Sequence, residues 1–418
     1  MKKINLILLI ASIIDLHATS YPPFMVSESD STGVINRGVT VPVTTAPHLP
    51  ADISFACADI KYHEGSLKFC ECGDGIYMSL RTATVALNDH PQDAVAPYWG
   101  IFWHYLAQFR LPLWLVGNIE PETALARATF KQLGGSCRQN LLQLEQDENF
   151  KKACESTFIP QSRINAYRGI IIFRSGSERG RDGDAIRDFR RNHPEFLYVN
   201  SIARPYLIRK DATSEIFKAA GLAQLIPAAK TYGSNYSSTL TQQILNDFPD
   251  QWLIIKPTSS SLANGVNLVD RNNLEEFLRL ILRDKKNISC NAPRGLSYWR
   301  TAHPSHFFVS SYAPSHLIYK DNLPYDPTMR IVFMMYHDKG VINITVIAGF
   351  WKIPVESLAA TEATLTARHI TIAHAGDYYT GILVDPHDWN DIKEILDNNL
   401  PTLYQTILEH HALPIESM

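Results

Sequence analysis

The chain has 418 residues, of which 45% are hydrophobic and 19% are charged, and it carries a formal net charge of −3. This length is enough for two or three domains with buried cores. The balanced charge argues against a protein that holds nucleic acid on a strongly basic surface. An arginine-rich stretch, 179–191, is interleaved with aspartates, which favours a solvated helix face over a local nucleic-acid contact.

The N-terminus has the pattern of a secretory signal peptide. Lys2 and Lys3 precede an apolar run, 4–14, which is shorter than the roughly 20 residues that a membrane span needs. We therefore predict a signal peptide over 1–18 and an extended leader, rich in Ser, Thr and Pro, over 19–50. A buried first strand or helix is the alternative for the apolar run. Later stretches of the sequence do not predict a transmembrane segment.

The cysteines are concentrated in the first part of the chain, because only Cys290 lies after residue 160. An even number of cysteines suits disulfides in an exported chain, and such bonds would mainly join parts of the N-terminal region. Cys70-Glu71-Cys72 is a closely spaced pair, but a zinc site needs about four ligands and a second pair at metal-binding spacing is missing. The cysteines therefore leave a disulfide-stapled N-terminal region open and give little support to zinc.

Residues 51–164 are predicted to form an N-terminal α/β region. Its strands are expected at 76–80 and 113–116, and its helices at 98–109, 122–133 and 140–150. A further segment, 165–208, begins with Gly169–Phe173, an uninterrupted apolar strand that is typical of a buried parallel sheet.

The polar loop 174–184, which follows this strand, is a candidate substrate-binding element. Loops at the carboxyl ends of parallel strands line the ligand crevice of open α/β sheets, and this loop is rich in Gly and Arg. A mobile surface loop is the alternative, because its glycines do not have the spacing of a known phosphate-binding motif. The candidate residues for an anionic substrate are Arg174, Ser175, Arg179 and Arg181.

Two lysines stand at positions that suit a phosphate site. Lys210 opens a predicted helix that ends before Gly221, and Lys256 closes an apolar strand that begins at Trp252. A loop of small residues, 258–265, follows Lys256 and would leave backbone N–H groups free to approach phosphate oxygens. The alternative for each lysine is an ordinary solvent-exposed side chain.

Over roughly 165–355, the chain resembles the ATP-grasp superfamily of ATP-dependent carboxylate–amine ligases and their relatives. The resemblance rests on the sequences TSEIFKAAGL after Lys210, WLIIKPTSSSLANGV around Lys256, HFFVSSYAPSHLI at the expected hinge strand, and YDPTMRIVFMMYHDKGVINITVIAGFWKIP. It implies an α/β fold with a preATP-grasp-like segment over 165–208 and an ATP-grasp domain of two α+β subdomains over 209–400. A C-terminal helix and tail would follow over 401–418.

The resemblance also implies a function and a set of site residues. ATP would phosphorylate a small-molecule or peptide carboxylate, and an amine or another nucleophile would displace the phosphate. Arg330 would stabilise the transferring phosphoryl group, although a structural ion pair with Asp326 is its alternative. The residues assigned to ATP are Lys210, Lys256, Ser259, Ser260, Ser261, Gly265, Ser311 and Tyr312.

The sequence departs from the family at the expected magnesium site. No Glu-x-Asn pattern follows Arg330, and Asp385 is the best substitute as a Mg²⁺ ligand, since Mg²⁺ prefers oxygen ligands. His369 and His374 have the wrong spacing for one helical face and are assigned no role. A catalytically inert nucleotide-binding or effector protein on the same scaffold, and an ATP-dependent phosphotransferase, therefore stay open as alternatives to a ligase.

Export and ATP use are compatible only under certain conditions, because ATP is scarce outside cells. The signal-like N-terminus predicts an exported protein that is delivered to a compartment containing ATP. If the N-terminus is not a signal, a cytoplasmic protein is expected.

Overall fold

The computed structural model describes residues 39–42, 49–73, 102–103, 105–117, 130–154, 163–173, 181–258, 260, 263–371 and 381–412. Its strands are β1 (Val39–Pro42), β2 (Asp52–His63), β3 (Ser66–Gly73), β4 (Leu113–Val116), β5 (Ser136–Arg138), β6 (Ile170–Phe173), β7 (Leu197–Tyr198), β8 (Ala229–Gly233), β9 (Trp252–Pro257), β10 (Asn267–Asp270), β11 (His306–Ser311), β12 (Ile318–Lys320), β13 (Leu323–Tyr325), β14 (Thr328–Asp338), β15 (Val341–Lys352) and β16 (Gly381–Leu383).

The α-helices of the described ranges lie mainly between these strands. They are α1 (Leu141–Glu145), α2 (Glu148–Ala153), α3 (Arg181–Asn192), α4 (Arg204–Leu207), α5 (Lys210–Ala219), α6 (Ser238–Asp247), α7 (Leu274–Leu278), α8 (Arg294–Thr301), α9 (Leu365–His369) and α10 (Pro386–Ala412). The predicted signal peptide and the predicted strand at 76–80 fall outside the described residues, as do most of the leader and of the helix at 122–133.

A four-stranded parallel sheet with the strand order β5-β4-β6-β7 forms the first unit. The predicted strands at 113–116 and 169–173 are present as β4 and β6, and both observed strands are buried along their whole length. The predicted helix at 140–150 is two helices, because the side chain of Asp147 caps a new helix by accepting the N–H of Phe150.

A four-stranded antiparallel sheet with the order β10-β9-β11-β8 forms the second unit. Side chains alternate between its two faces. Leu253 and Ile255 of β9 face the helices and pack in a core with Ile244 of α6 and Trp299 of α8. Lys256, the next residue along β9, therefore faces away from this core.

The third unit is a larger antiparallel sheet with the order β1-β15-β14-β2-β3, in which β16 also pairs with β15. The hairpin of β2 and β3 lies in the region predicted as N-terminal, but β2 pairs with β14 along nine residues from Met329 to His337. The N-terminal part of the chain thus completes the C-terminal sheet. The long helix α10 packs against the same sheet through residues such as Leu396 and Tyr404.

None of the helices in the described ranges combines the length and apolar character that a membrane crossing requires. All six cysteines lie in described parts of the chain and are free thiols, so the structure contains no disulfide among them. The open alternative of a disulfide-stapled N-terminal region is therefore not what the structure shows.

Candidate functional site

Lys256 is buried at the end of β9, on the face that looks towards the β2–β3 hairpin. Its Nζ donates a hydrogen bond to the carbonyl oxygen of Cys70 at 3.0 Å and lies 5.2 Å from the centre of the Phe308 ring. Burial and the neighbouring charge of Lys210 lower the pKa of Lys256. An anion placed beside this ammonium group would favour its charged form.

Lys210 is the first residue of α5 and is also buried. Its Nζ donates to the carbonyl oxygen of Ser260 at 2.7 Å and lies 3.3 Å from Oε1 of Glu71. The Glu71 side chain is 38% exposed. The lysine is thus held between the loop after β9 and an acidic side chain of β3.

Both lysines line one small cavity whose walls come from β3, α5, β9 and β11. The cavity measures about 30 Å³, which is room for one or two water molecules. A pocket that holds a small-molecule ligand usually measures about 300–1,000 Å³. This cavity is therefore smaller than a nucleotide requires.

The loop after β9 contains one glycine with a conformational requirement. Gly265 has a φ of +76°, and a Cβ atom there would lie 2.6 Å from the ring of Pro257 and 2.7 Å from that of Tyr298. Its carbonyl oxygen accepts the indole N–H of Trp299 at 2.9 Å. This glycine anchors the end of the loop, while Ser259 and Ser261 lie outside the described residues.

Ser260 presents a second polar group near Lys210. Its carbonyl oxygen accepts the bond from Lys210, and its buried hydroxyl oxygen has no hydrogen-bond partner within the described part of the chain. A buried hydroxyl without a partner costs free energy, which a ligand oxygen could recover. Ser260 does not line the cavity itself, so its hydroxyl is a donor beside Lys210 rather than part of the cavity wall.

Arg330 does not form an ion pair with Asp326, which was the alternative to a role at the phosphoryl group. Its guanidinium instead makes a bidentate contact with Asp59 of β2, at 2.8 and 2.9 Å. Lys352 of β15 also contacts Asp59, at 2.7 Å. Burial alone would raise the pKa of Asp59, but the charges of Arg330 and Lys352 outweigh it and hold this pKa well below its usual range.

A second charged cluster lies beside the first, around Asp326. This carboxylate is 2.8 Å from Nζ of Lys61 and 2.7 Å from Nδ1 of His369. The hydroxyl oxygen of Tyr312 lies 3.0 Å from the same nitrogen of His369. His369, which the sequence left without a role, is thus a buried member of a polar network that also contains the predicted residue Tyr312.

The other predicted site residues are distributed around the molecule. Ser311 donates its hydroxyl proton to Asp250, and its neighbour Ser310 lines the lysine cavity instead. Asp385 is exposed before α10, and its Oδ1 accepts the backbone N–H of His387 at 2.8 Å. Arg181 begins α3. Arg174, Ser175 and Arg179 lie outside the described residues.

The carboxylates beside the lysine cavity do not fit a preformed magnesium site. Glu71, which lines the cavity, contacts Lys210. Asp59 contacts Arg330 and Lys352, and Asp326 contacts Lys61 and His369. A magnesium ion would have to displace cationic side chains from them. A role of Asp385 as a magnesium ligand stays a prediction.

Sequence comparison and structure comparison give different results for this chain. The sequence matches no family model and no curated protein. Among solved structures, a protein described as a gamma-glutamylcysteine synthetase from Methylobacillus flagellatus matches with a TM-score of 0.45 and 10% identity, covering 87% of this chain and 91% of that one.

Two further solved structures match at similar levels. D-alanyl-alanine synthetase A from Vibrio cholerae has a TM-score of 0.37 and 10% identity, over 70% of this chain and 81% of that one. A glutathione synthetase-like effector from Globodera pallida has a TM-score of 0.35 and 10% identity, over 73% and 74%. Likeness at this level gives no information on substrate or mechanism. The fold of the chain is α/β, as its sequence predicts, and the resemblance to the ATP-grasp superfamily stays a prediction.

Proposed function

We propose that this protein binds ATP in the cavity of Lys210 and Lys256 and uses it to ligate a carboxylate to an amine. The observation that carries the proposal is the convergence of two buried lysines, from α5 and β9, on one cavity. ATP carries about four negative charges, so two ammonium groups in a poorly solvated cleft would bind its phosphates strongly.

The roles of the other groups follow from their positions. The loop 258–265, anchored at Gly265, would lie over the phosphates, and Arg330 would contact the transferring phosphoryl group once a ligand competes with Asp59 for it. The substrates are expected to be small-molecule or peptide carboxylates and amines, with the carboxylate near Arg181 and the loop before it. If the N-terminus directs export, the protein must reach a compartment that contains ATP.

A nucleotide-binding protein without catalytic activity is the second candidate, and one observation favours it. Asp59 holds both Arg330 and Lys352, so the cations best placed to stabilise a phosphoryl group are bound to the protein's own carboxylate. Such a protein would bind ATP without releasing ADP. Transfer of the phosphoryl group without ligation is the enzymatic alternative.

The decisive experiment measures ATP binding by isothermal titration of the full chain and of lysine variants. We expect Lys256→Met and Lys210→Met each to weaken binding at least about tenfold, because each removes a charged hydrogen-bond donor. Lys218→Met on α5 and Lys230→Met on β8 are matched controls, because both lysines are about half exposed and pair with surface aspartate or glutamate. Wild-type protein that does not bind ATP, with or without Mg²⁺, would disprove the proposal.

Release of ADP separates the ligase from the inert protein. Protein supplied with ATP, Mg²⁺ and a mixture of amino acids should release ADP if it is a ligase, and Lys256→Met should not. Nucleotide binding without ADP release under these conditions would support the inert protein. Phosphorylated product without amide formation would support a phosphotransferase.

Glu71 provides a separate prediction about access to the cavity. Because its carboxylate lies 3.3 Å from Lys210, it competes with a phosphate group for this lysine. We expect Glu71→Gln to bind ATP about two- to fivefold more tightly, the size of a partly exposed ion pair. Glu215→Gln on α5 is the control, since Glu215 pairs with Lys218 on the surface. Weaker binding by Glu71→Gln would show that Glu71 assists the nucleotide rather than competes with it.

A further inference from the structure

Three side chains with metal-binding atoms meet at one end of the parallel sheet, separate from the lysine cavity. Cys154 caps the C-terminus of α2, His193 follows α3, and Glu195 lies in the turn before β7. One potential ligand atom from each of the three lies within 4.8 Å of the other two. The same three segments also pack together around Phe150 and Phe196.

The distances within the cluster are close to those of a tetrahedral zinc site. Sγ of Cys154 is 3.7 Å from Nδ1 of His193, which is 3.1 Å from Oε1 of Glu195. Zinc bonds of about 2.0–2.3 Å at tetrahedral angles place neighbouring ligand atoms about 3.4–3.6 Å apart. For these two pairs, shifts of a few tenths of an ångström would bring the atoms to ligand geometry.

The environment of the cluster also suits a cation. The Glu195 side chain is 8% exposed, and the rings of Phe150 and Phe189 lie against His193. A carboxylate in such an apolar shell needs a strong positive partner. The His193 side chain is 23% exposed, so an ion and one water ligand can reach the cluster from solvent.

A catalytic role for the same residues does not fit their arrangement. A cysteine–histidine–acid triad uses both ring nitrogens of the histidine, one for the nucleophile and one for the acid. Here Cys154 and Glu195 both contact Nδ1 of His193.

We propose that Cys154, His193 and Glu195 bind one Zn²⁺ ion through Sγ, Nδ1 and a carboxylate oxygen, with water as the fourth ligand. A thiolate and an imidazole favour zinc over magnesium or calcium, which prefer oxygen ligands. On binding, the thiol proton passes to the buffer, and the proton on Nδ1 of the neutral imidazole is replaced by one on Nε2. The thiolate and the carboxylate then neutralise the two positive charges of the ion.

The proposal is tested with the full chain, freed of metal by a chelator and titrated with Co²⁺. We expect one Co²⁺ per chain, the near-ultraviolet absorption band of a cobalt–thiolate bond, and displacement of Co²⁺ by one equivalent of Zn²⁺. One proton should be released per metal ion. The thermal midpoint of unfolding should rise with zinc concentration.

Variants assign the site. Cys154→Ser should abolish the thiolate band and weaken zinc binding at least about 100-fold, and His193→Gln should weaken it similarly. Cys137→Ser and Cys290→Ser, which replace exposed cysteines, should leave the band unchanged. Wild-type protein without a thiolate band overturns the proposal whether or not the variants fold. A band that persists in folded Cys154→Ser also overturns it.

Discussion

Replacing Asp59 with Asn should lower the free energy of unfolding by about 2–4 kcal/mol, somewhat less than the cost of removing one partner from a fully buried ion pair, because the Asp59 side chain is 14% exposed. Asp59 accepts a bidentate contact from Arg330 and a third contact from Lys352. The variant leaves both cations without this carboxylate, and the guanidinium cannot lose its proton at accessible pH. Urea unfolding followed by circular dichroism measures the loss.

Two further variants show whether the charge of Asp59 is the cause. Asp188→Asn, which removes a surface pair with Arg191 on α3, should change the stability by less than about 1 kcal/mol. Adding Lys352→Met to Asp59→Asn should restore part of the stability. Burial and the charge of Arg330 lower the pKa of Lys352 to about 8, which shows that its charged form is unfavourable at this position. Without Asp59, removing that charge should therefore stabilise the folded protein. If Lys352→Met instead lowers the free energy of unfolding as much in Asp59→Asn as it does in the wild type, the three residues do not act as a charge cluster.

Asp52 should make the free energy of unfolding depend strongly on pH. The carboxylate is buried; its Oδ2 accepts the hydroxyls of Ser54 at 2.7 Å and Tyr404 at 2.5 Å. Its Oδ1 is buried with no hydrogen-bond partner within the described residues. Burial raises the pKa of Asp52 from 3.8 to about 6, despite these bonds.

The raised pKa fixes the sign of the effect. Between about pH 4 and pH 6 the folded protein binds the Asp52 proton more tightly than the unfolded chain, so the stability falls as the pH rises through this window. The loss amounts to about 2–3 kcal/mol, at roughly 1.4 kcal/mol per pKa unit. This contribution is fully present below about pH 4 and is lost above about pH 6.

Asp52→Asn should remove this pH dependence and be more stable than the wild type at pH 7. The amide oxygen can accept the bonds from Ser54 and Tyr404, and the neutral amide does not bury a charge. Urea unfolding at pH 4, 5, 6 and 7 compares the two proteins, with Asp188→Asn as a control that should follow the wild type. A variant that is less stable than the wild type by the same amount at every pH would contradict the prediction.

Local patterns were sufficient to place Lys256. Leu253 and Ile255 alternate with Ile254 and Lys256 along one strand, and this period decides that the lysine faces away from the helical core. Such patterns also predict the buried strands of the parallel sheet and the start of α5 at Lys210. They failed at Asp147, whose capping side chain starts a second helix inside the expected one.

The ion-pair partners could not be predicted from local patterns. Asp59 meets Arg330 across 271 positions in the sequence, and Lys61 meets Asp326 across 265. These pairs depend on β2 lying beside β14, and no property of either strand alone selects the other. The sequence assigned Ser311 to the ATP site, but Ser310 is the serine that lines the cavity. Neighbouring residues of a strand lie on opposite faces, so an error of one position selects the wrong side chain.

The pairing of β2 with β14 has a consequence for how the protein can be divided. The candidate nucleotide site is made from distant parts of the chain, since Cys70 and Glu71 come from the β2–β3 hairpin and the lysines come from α5 and β9. A fragment that starts at residue 209 would leave β14 as a long unpaired edge rich in buried side chains, which is a template for aggregation. Truncated or domain-exchanged versions of this protein must therefore keep residues 49–73 together with the C-terminal sheet.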